Sequence, residues 1–187
     1  AWDQRVVPIY RRITDSVHKY GAKMFCQIQH SGNEMLGAYP RKPLLAPSAI
    51  PDPLMNEVPK AMELEEIEDV IQSFGQAALH AKKGGYDGIE IKASHDGLIR
   101  QFWSPATNKR LDQYGGPLEN RIRFSLEIIK TVHSSVGNDF PIGVRLSLDE
   151  MLPNGFSLDE GIQIGKTLAE TGMIRYLSTD IATISQM

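Results

Sequence analysis

The sequence predicts an α/β fold in which parallel strands are joined by crossover helices. Three observations predict it. Helical and strand-like patterns alternate four times along the chain. The connections before the strands are short and the segments after them are long and polar. Proline is concentrated in one stretch rather than spread through the periodic segments. Regular alternation implies parallel pairing, because a parallel strand can be reached only by a crossover.

Within residues 3–20, Val6, Tyr10, Ile13 and Val17 recur at helical spacing, a stripe expected to face the core, and Gly21 is a natural stop. Lys23 to His30 reads as a strand. Residues 31–62 then hold Pro40, Pro43, Pro47, Pro51, Pro53 and Pro59, too many for a long regular element. So long a Pro-rich loop is usually functional or carries a small hairpin. Glu63 to Lys83 is a helix with Ile67, Val70, Ile71, Phe74 and Ala78 on one face, and Gly84-Gly85 ends it. Tyr86 to Lys92 is a strand, and 93–117 is irregular. Leu118 to Val136 is one helix, striped by Ile122, Leu126, Ile129 and Val132. Phe140 to Ser147 is a strand. Ser157 and Glu160 form a capping box that opens a helix through Leu168, and Arg175 to Ile181 is a last strand.

Two architectures remain at this point: a closed eight-stranded barrel and an open doubly wound sheet. Long loops at the carboxyl ends of the strands suit an active-site face in either. No G-x-G-x-x-G follows a strand, which weighs against the dinucleotide-binding sheet. Four strands cannot close an eight-stranded barrel, which takes about 250 residues. The expectation is therefore a fragment, or the ordered part of a longer protein, with open strand edges that pair or aggregate.

Composition sets further bounds. The 187 residues are 41% hydrophobic and 23% charged with net charge -3, and no basic stripe is present, so nucleic acid is not an expected partner. No apolar run approaches the roughly 20 residues that span a bilayer, so no membrane partner is expected. The polar, amphipathic opening segment is not a signal peptide, and a single cysteine, Cys26, excludes an internal disulfide framework, which fits a cytoplasmic protein.

Polar residues collect where the strands end: Gln27, Gln29 and His30; Lys92, Ser94, His95 and Asp96; Arg145, Ser147 and Asp149; Ser178, Thr179 and Asp180. Gln27 and Arg145 interrupt apolar strands, and alternation can point them into a barrel interior. A buried cation needs an acceptor, so Arg145 either pairs with a carboxylate such as Glu90 or faces a ligand. His30, His95 and Asp180 offer an alternative, a metal-dependent hydrolase, but no His-x-His or His-Glu-x-x-His is present, and no metal is expected. Cys26 alternates away from Gln27 and reads as a buried core thiol.

Residues 97–124 read GLIRQFWSPATNKRLDQYGGPLENRIRF. This closely resembles the QF-x-SP, N-x-R-x-D-x-YGG-S-LENR-x-RF pattern of the old yellow enzyme or NADH:flavin oxidoreductase family, in its 2,4-dienoyl-CoA reductase and trimethylamine dehydrogenase-like branch. Phe25 to Gly32, Ala46 to Pro51, Gly88 to Lys92 and Gly143 to Ser147 are similar to that family's third strand, the loop after it, and its fourth and fifth strands. The resemblance implies part of a (β/α)8 TIM barrel, roughly strands three to six, with FMN at the carboxyl face and residues 1–187 as the central part of one domain. It implies that Gln27 contacts the pyrimidine edge of the flavin and that Arg145 lies near N1 and the C2 carbonyl. It implies FMN-dependent hydride transfer between NAD(P)H, or an amine or enoyl-type small-molecule substrate, and the flavin. It allows a 4Fe-4S cluster and FAD in regions outside this chain, and an oligomer. The phosphate site of such a barrel belongs to strands seven and eight, so the isolated piece is expected to bind FMN weakly and to be inactive.

One departure matters. Where many members carry His and then a proton-donating Tyr, this chain has Lys92 and Gly97. The resemblance therefore leaves Lys92 and His95 to bind a substrate oxyanion or carboxylate, and Asp180 to orient an amine. A third reading is a catalytically inactive barrel remnant acting as an interaction module, which the loss of that Tyr favours and the retention of Gln27 and Arg145 opposes.

Overall fold

The computed structural model describes residues 3–38, 40–95 and 97–181. After a 3-10 turn at Gln4–Val6 the elements run α1 (Val7–His18), β1 (Phe25–Ile28), β2 (Leu45–Ala46), β3 (Lys60–Ala61), α2 (Leu64–Lys83), β4 (Gly88–Ala93), α3 (Leu98–Trp103), α4 (Leu118–Arg121), α5 (Arg123–Val136), β5 (Ile142–Ser147), α6 (Leu158–Glu170) and β6 (Tyr176–Asp180). Strands β1, β4, β5 and β6 form one parallel sheet in that order. This is part of a (β/α)8 barrel: each strand is followed in space by its parallel neighbour, with helices on one side only.

The period-2 pattern explains the layering. Ile28, Ile89, Ile91, Ala93, Ile142, Val144 and Leu146 all face the helices and are at most 3% exposed. They pack on α2 through Ile71, Phe74 and Ala78, and on α5 through Phe124, Ile128 and Val132. Cys26 joins this core, where burial pushes its thiol pKa up. The opposite face is the barrel interior, and its residues pair across the strands in rows: Gln27 with Glu90, Glu90 with Gly143, Gly143 with Tyr176, then Lys92 with Arg145 and Arg145 with Ser178.

The floor of this face shows why two strands carry glycine. A Cβ on Gly88 would stand 2.3 Å from the Phe25 ring, and one on Gly143 would stand 2.1 Å from the Tyr176 ring. The aromatics on the outer strands thus lie over the bare backbone of the inner ones, with ring centroids 6.1 Å apart. Large and small residues alternate to fill a tapered interior.

The structure departs from the sequence reading in five places. In α1 the one buried residue is Thr14, and Ile13 is 41% exposed, because this helix lies against α2 along one edge only. The Pro-rich segment carries no hairpin: β2 and β3 pair in parallel through Lys60 N–H to Leu44 O and Met62 N–H to Ala46 O. The stretch read as irregular contains α3, whose six residues are all buried, so no amphipathic period marks it. The helix expected over Leu118–Val136 breaks at Ile122 (φ −84°, ψ −12°) into α4 and α5. Strand limits are shorter than expected at their amino ends. The capping box at Ser157 and Glu160 is present.

Candidate active site

The carboxyl ends of the four strands bring most of the singled-out residues onto one face. Gln27 and Arg145 point to the same side, since Gln27 pairs with Glu90 and Arg145 pairs with Lys92, two residues further along the same strand. They are not on adjacent strands, because β4 lies between β1 and β5. Arg145 does not pair with Glu90. Its Nε donates to Asp180 Oδ2 at 3.2 Å. Glu90 instead accepts from Gln27 Nε2 at 2.7 Å and from the Tyr176 hydroxyl at 3.1 Å. Burial, and then the Glu90 carboxylate, push Tyr176 up to about 12, so the phenol stays a donor.

Above this row lies a second cluster. Asp180 Oδ1 accepts from Ser147 Oγ at 2.7 Å, and its Oδ2 stands 3.4 Å from His95 Nδ1 as well as against Arg145. His95 itself has φ +40°, uncommon for a residue with a side chain. That conformation is held from both ends: His95 N–H donates to Ser147 Oγ at 3.1 Å, and Arg100 Nε donates to the His95 carbonyl. His95 Nε2 is buried and has no partner among the described residues. Lys92 stands beside Arg145 in the adjacent strand. Asp96 lies outside the described residues.

His30 is not part of this cluster. It alternates with Ile28 to the helix side and lines a cavity of about 120 Å³ against Val70, Ser73, Phe74 and Ala77 of α2. Its Nδ1 accepts from Gly32 N–H at 3.0 Å, and burial lowers its pKa, so the ring is neutral. Among the described residues no group of three or more His, Cys, Asp or Glu side chains is placed to hold a metal ion.

Sequence reasoning missed the group that props this site up. Arg100, on α3, is 2% exposed and pairs with Glu34 from the loop after β1 and with Glu150 from the loop after β5. Glu150 also accepts from Phe156 N–H at 3.0 Å. One guanidinium thus ties together the loops that leave three strands. Its signal was the pair Arg100 and Gln101 set between the apolar ends of LIRQFW. Gln101 adds a second tie, donating to Ser31 O at 3.0 Å. The polar residues of the 97–124 motif are equally structural: Asn108 Nδ2 donates to both Phe102 O and Tyr114 O at 2.7 Å, and Arg121 binds the carbonyls of Trp103 and Gly116 and the Glu160 carboxylate.

The NADH:flavin oxidoreductase / NADH oxidase family profile matches residues 1–186. The chain belongs to this family. It is 43% identical to N,N-dimethylglycine/sarcosine dehydrogenase of Chromohalobacter salexigens over 92% of this chain and 25% of that protein. Among solved structures it superposes on histamine dehydrogenase from Rhizobium sp. 4-9 with TM-score 0.88 at 31% identity, covering 98% of this chain and 27% of the other. The old yellow enzyme homologue from Zymomonas mobilis gives TM-score 0.82 at 30% identity over 92% of this chain and 52% of the other. The chain thus spans about a quarter of the length of the first of these relatives. The family brings FMN, and the donor set fits its edge. The pyrimidine side of an isoalloxazine alternates carbonyl oxygens with an imide N–H, which an amide and a cation on one face can match. Gln27 and Arg145 offer an amide and a cation on one face, with β4 between them.

Proposed function

We propose that the full protein is an FMN-dependent oxidoreductase and that this chain supplies the floor and one wall of its active site. Gln27 and Arg145 hold the pyrimidine edge of FMN, which when bound supplies a hydride acceptor and donor. The observation that carries this reading is that Gln27 and Arg145 emerge on one face, flanking β4, from strands whose other face is wholly apolar.

His95, Lys92 and Asp180 then face the substrate. Asp180 and Ser147 orient the His95 ring through Nδ1 and the main chain, leaving Nε2 to hold a proton at, or accept one from, a substrate atom. Lys92 adds positive charge for a substrate carboxylate or oxyanion. An N-alkylated amine suits this set better than an activated alkene. Alkene reduction needs a proton donor opposite the hydride, and Gly97 has no side chain to give one. A Cβ there would stand 3.1 Å from the Ser94 carbonyl oxygen, a tight contact with the main chain. Two of the proteins this chain is similar to are named as amine dehydrogenases.

NAD(P)H is proposed as the second redox partner, with a cytoplasmic location. A 4Fe-4S cluster and FAD are proposed for regions outside this chain. No described helix is long and apolar enough to cross a membrane. The test is to purify the full-length protein, record its visible spectrum, release the flavin, and compare turnover of N-methyl amines with that of enones. Bound FMN and amine-dependent bleaching are expected. A colourless protein that takes up no FMN overturns the proposal, and enone reduction outpacing amine oxidation overturns the substrate assignment.

A further inference from the structure

We infer that Glu90 is a positioning residue for the cofactor: it fixes which way the Gln27 amide faces, and so makes Gln27 an acceptor for the imide N–H of the flavin. The inference rests on the FMN reading above. A glutamine amide is close to symmetric in shape and opposite in polarity at its two ends, so left alone it can turn either end to a ligand. Glu90 removes that freedom. A carboxylate only accepts, so the amide must turn Nε2 toward it, and Nε2 does lie 2.7 Å from Glu90 Oε1. The Glu90 carboxylate is itself held from the other side by the Tyr176 hydroxyl at 3.1 Å. Tyr176 in turn is held in place by lying over Gly143, where no side chain competes for the space.

The chain of donors therefore runs one way, from Tyr176 and Gln27 into Glu90. Among the described residues this is the one hydrogen bond that the Gln27 side chain makes. Its Oε1 is left as an acceptor turned away from Glu90. An acceptor there selects a ligand edge with an N–H between carbonyls over one that presents only acceptors. The carboxylate does this without touching the ligand, by acting through the amide.

The test uses full-length apoprotein titrated with FMN and with N3-methyl-FMN, followed by flavin fluorescence. Wild type should bind N3-methyl-FMN roughly 10-fold or more weakly than FMN, because Oε1 loses its donor. Equal binding of the two by wild type overturns the inference and needs no variant. The decisive pair is a polarity swap. Gln27→Glu should weaken FMN binding roughly 10- to 100-fold, since it sets two carboxylates against each other. The double variant Gln27→Glu with Glu90→Gln restores a donor facing an acceptor, and should recover most of that loss and return the reduction potential of bound FMN toward the wild-type value. If the swap fails to rescue a folded double variant, residue 90 does not orient residue 27 and the inference is overturned. If wild type binds no FMN at all, the functional reading falls and this one with it.

Discussion

Replacing Arg100 is the sharpest test of how the carboxyl face is built. The guanidinium is 2% exposed, and the side chains of its partners Glu34 and Glu150 are 7% and 0% exposed. Arg100→Met keeps the apolar stem and removes the charge. It leaves two carboxylates facing each other away from water, and it takes the donor from the His95 carbonyl. Breaking a buried pair from one side costs about 3–5 kcal/mol, because the partner stays charged and desolvated. Here one guanidinium faces two buried carboxylates, so the upper end of that range applies. In a domain of 150–250 residues each kcal/mol moves Tm by about 2–4 °C, so a fall of roughly 10–20 °C is expected for the barrel transition. The assay is thermal and urea unfolding of the full-length protein at fixed FMN saturation, wild type against variant. The triple variant Arg100→Met with Glu34→Gln and Glu150→Gln should regain most of the loss, since neutral side chains of similar size are cheap to bury. A single-variant loss below about 1 kcal/mol would refute the reasoning, because no desolvated pair can be broken so cheaply.

Three further outcomes follow from the geometry. Arg145→Ala should weaken FMN binding by roughly 10- to 100-fold, the cost of one charge-assisted contact, and unchanged affinity by fluorescence titration would remove Arg145 from the flavin site. Asp87 is held far below the usual carboxylate range, first by the Lys23 ammonium and then by the Met24 N–H and His18, against the opposing effect of burial. Its folded pKa is depressed, so its stabilisation is present above about pH 4, the unfolded value, and is lost as pH falls below it. Asp87→Asn should flatten the acid limb of a stability-against-pH curve, and an unchanged limb would count against it. Gly143→Val sets side-chain carbon where the Tyr176 ring lies, with the ring 2.1 Å from the Cβ position, so a loss of about 1–3 kcal/mol or an insoluble product is expected. The double variant with Tyr176→Ala should refold with less penalty, and urea titration reads both.

The parts of the fold legible in the sequence were those whose burial is one-sided. In β4 and β5 the polar interruptions Glu90, Lys92 and Arg145 fall on one parity and the apolar residues on the other, so the two faces can be read directly. In α2 a stripe marks the face, and in α6 a capping box marks the start; the capping box that opens α2, where Glu66 accepts from Glu63 N–H at 2.9 Å, was not read. Where burial is all-round or absent, the period carries no message. α3 is covered on every side, its Arg100 and Gln101 included, whereas Ile13 of α1 is exposed although its stripe marked it as core. Pairing was the least legible. The expected partner for Arg145 was a carboxylate such as Glu90, yet register puts Glu90 level with Gly143 and gives it to Gln27 and Tyr176, leaving Asp180 for Arg145. Parity told that His30 is two residues from Ile28, but not that this sends its ring to α2 rather than to His95.

The charges on the interior face bear on the proposal that a ligand lies there. Within one closed barrel Glu90, Lys92, Arg145 and Asp180 would all be withdrawn from water, and such groups persist only where each finds a partner. The chain meets most of that demand itself: Asp180 takes Arg145 and Ser147, and Glu90 takes Gln27 and Tyr176. What it leaves open is the Gln27 carbonyl, exposed in this chain but covered once a barrel closes, and the buried His95 Nε2 at the next level. Unmet polar atoms are rare in folded proteins because each costs on the order of 1–3 kcal/mol once water is excluded. On the function proposed above, a flat ligand with an imide N–H on one edge would satisfy the first, and a substrate lying over that ligand would reach the second. On that reading each of these two groups has a carboxylate behind it to orient it, Glu90 for Gln27 and Asp180 for His95, and that common arrangement is what a scaffold without a ligand leaves unexplained.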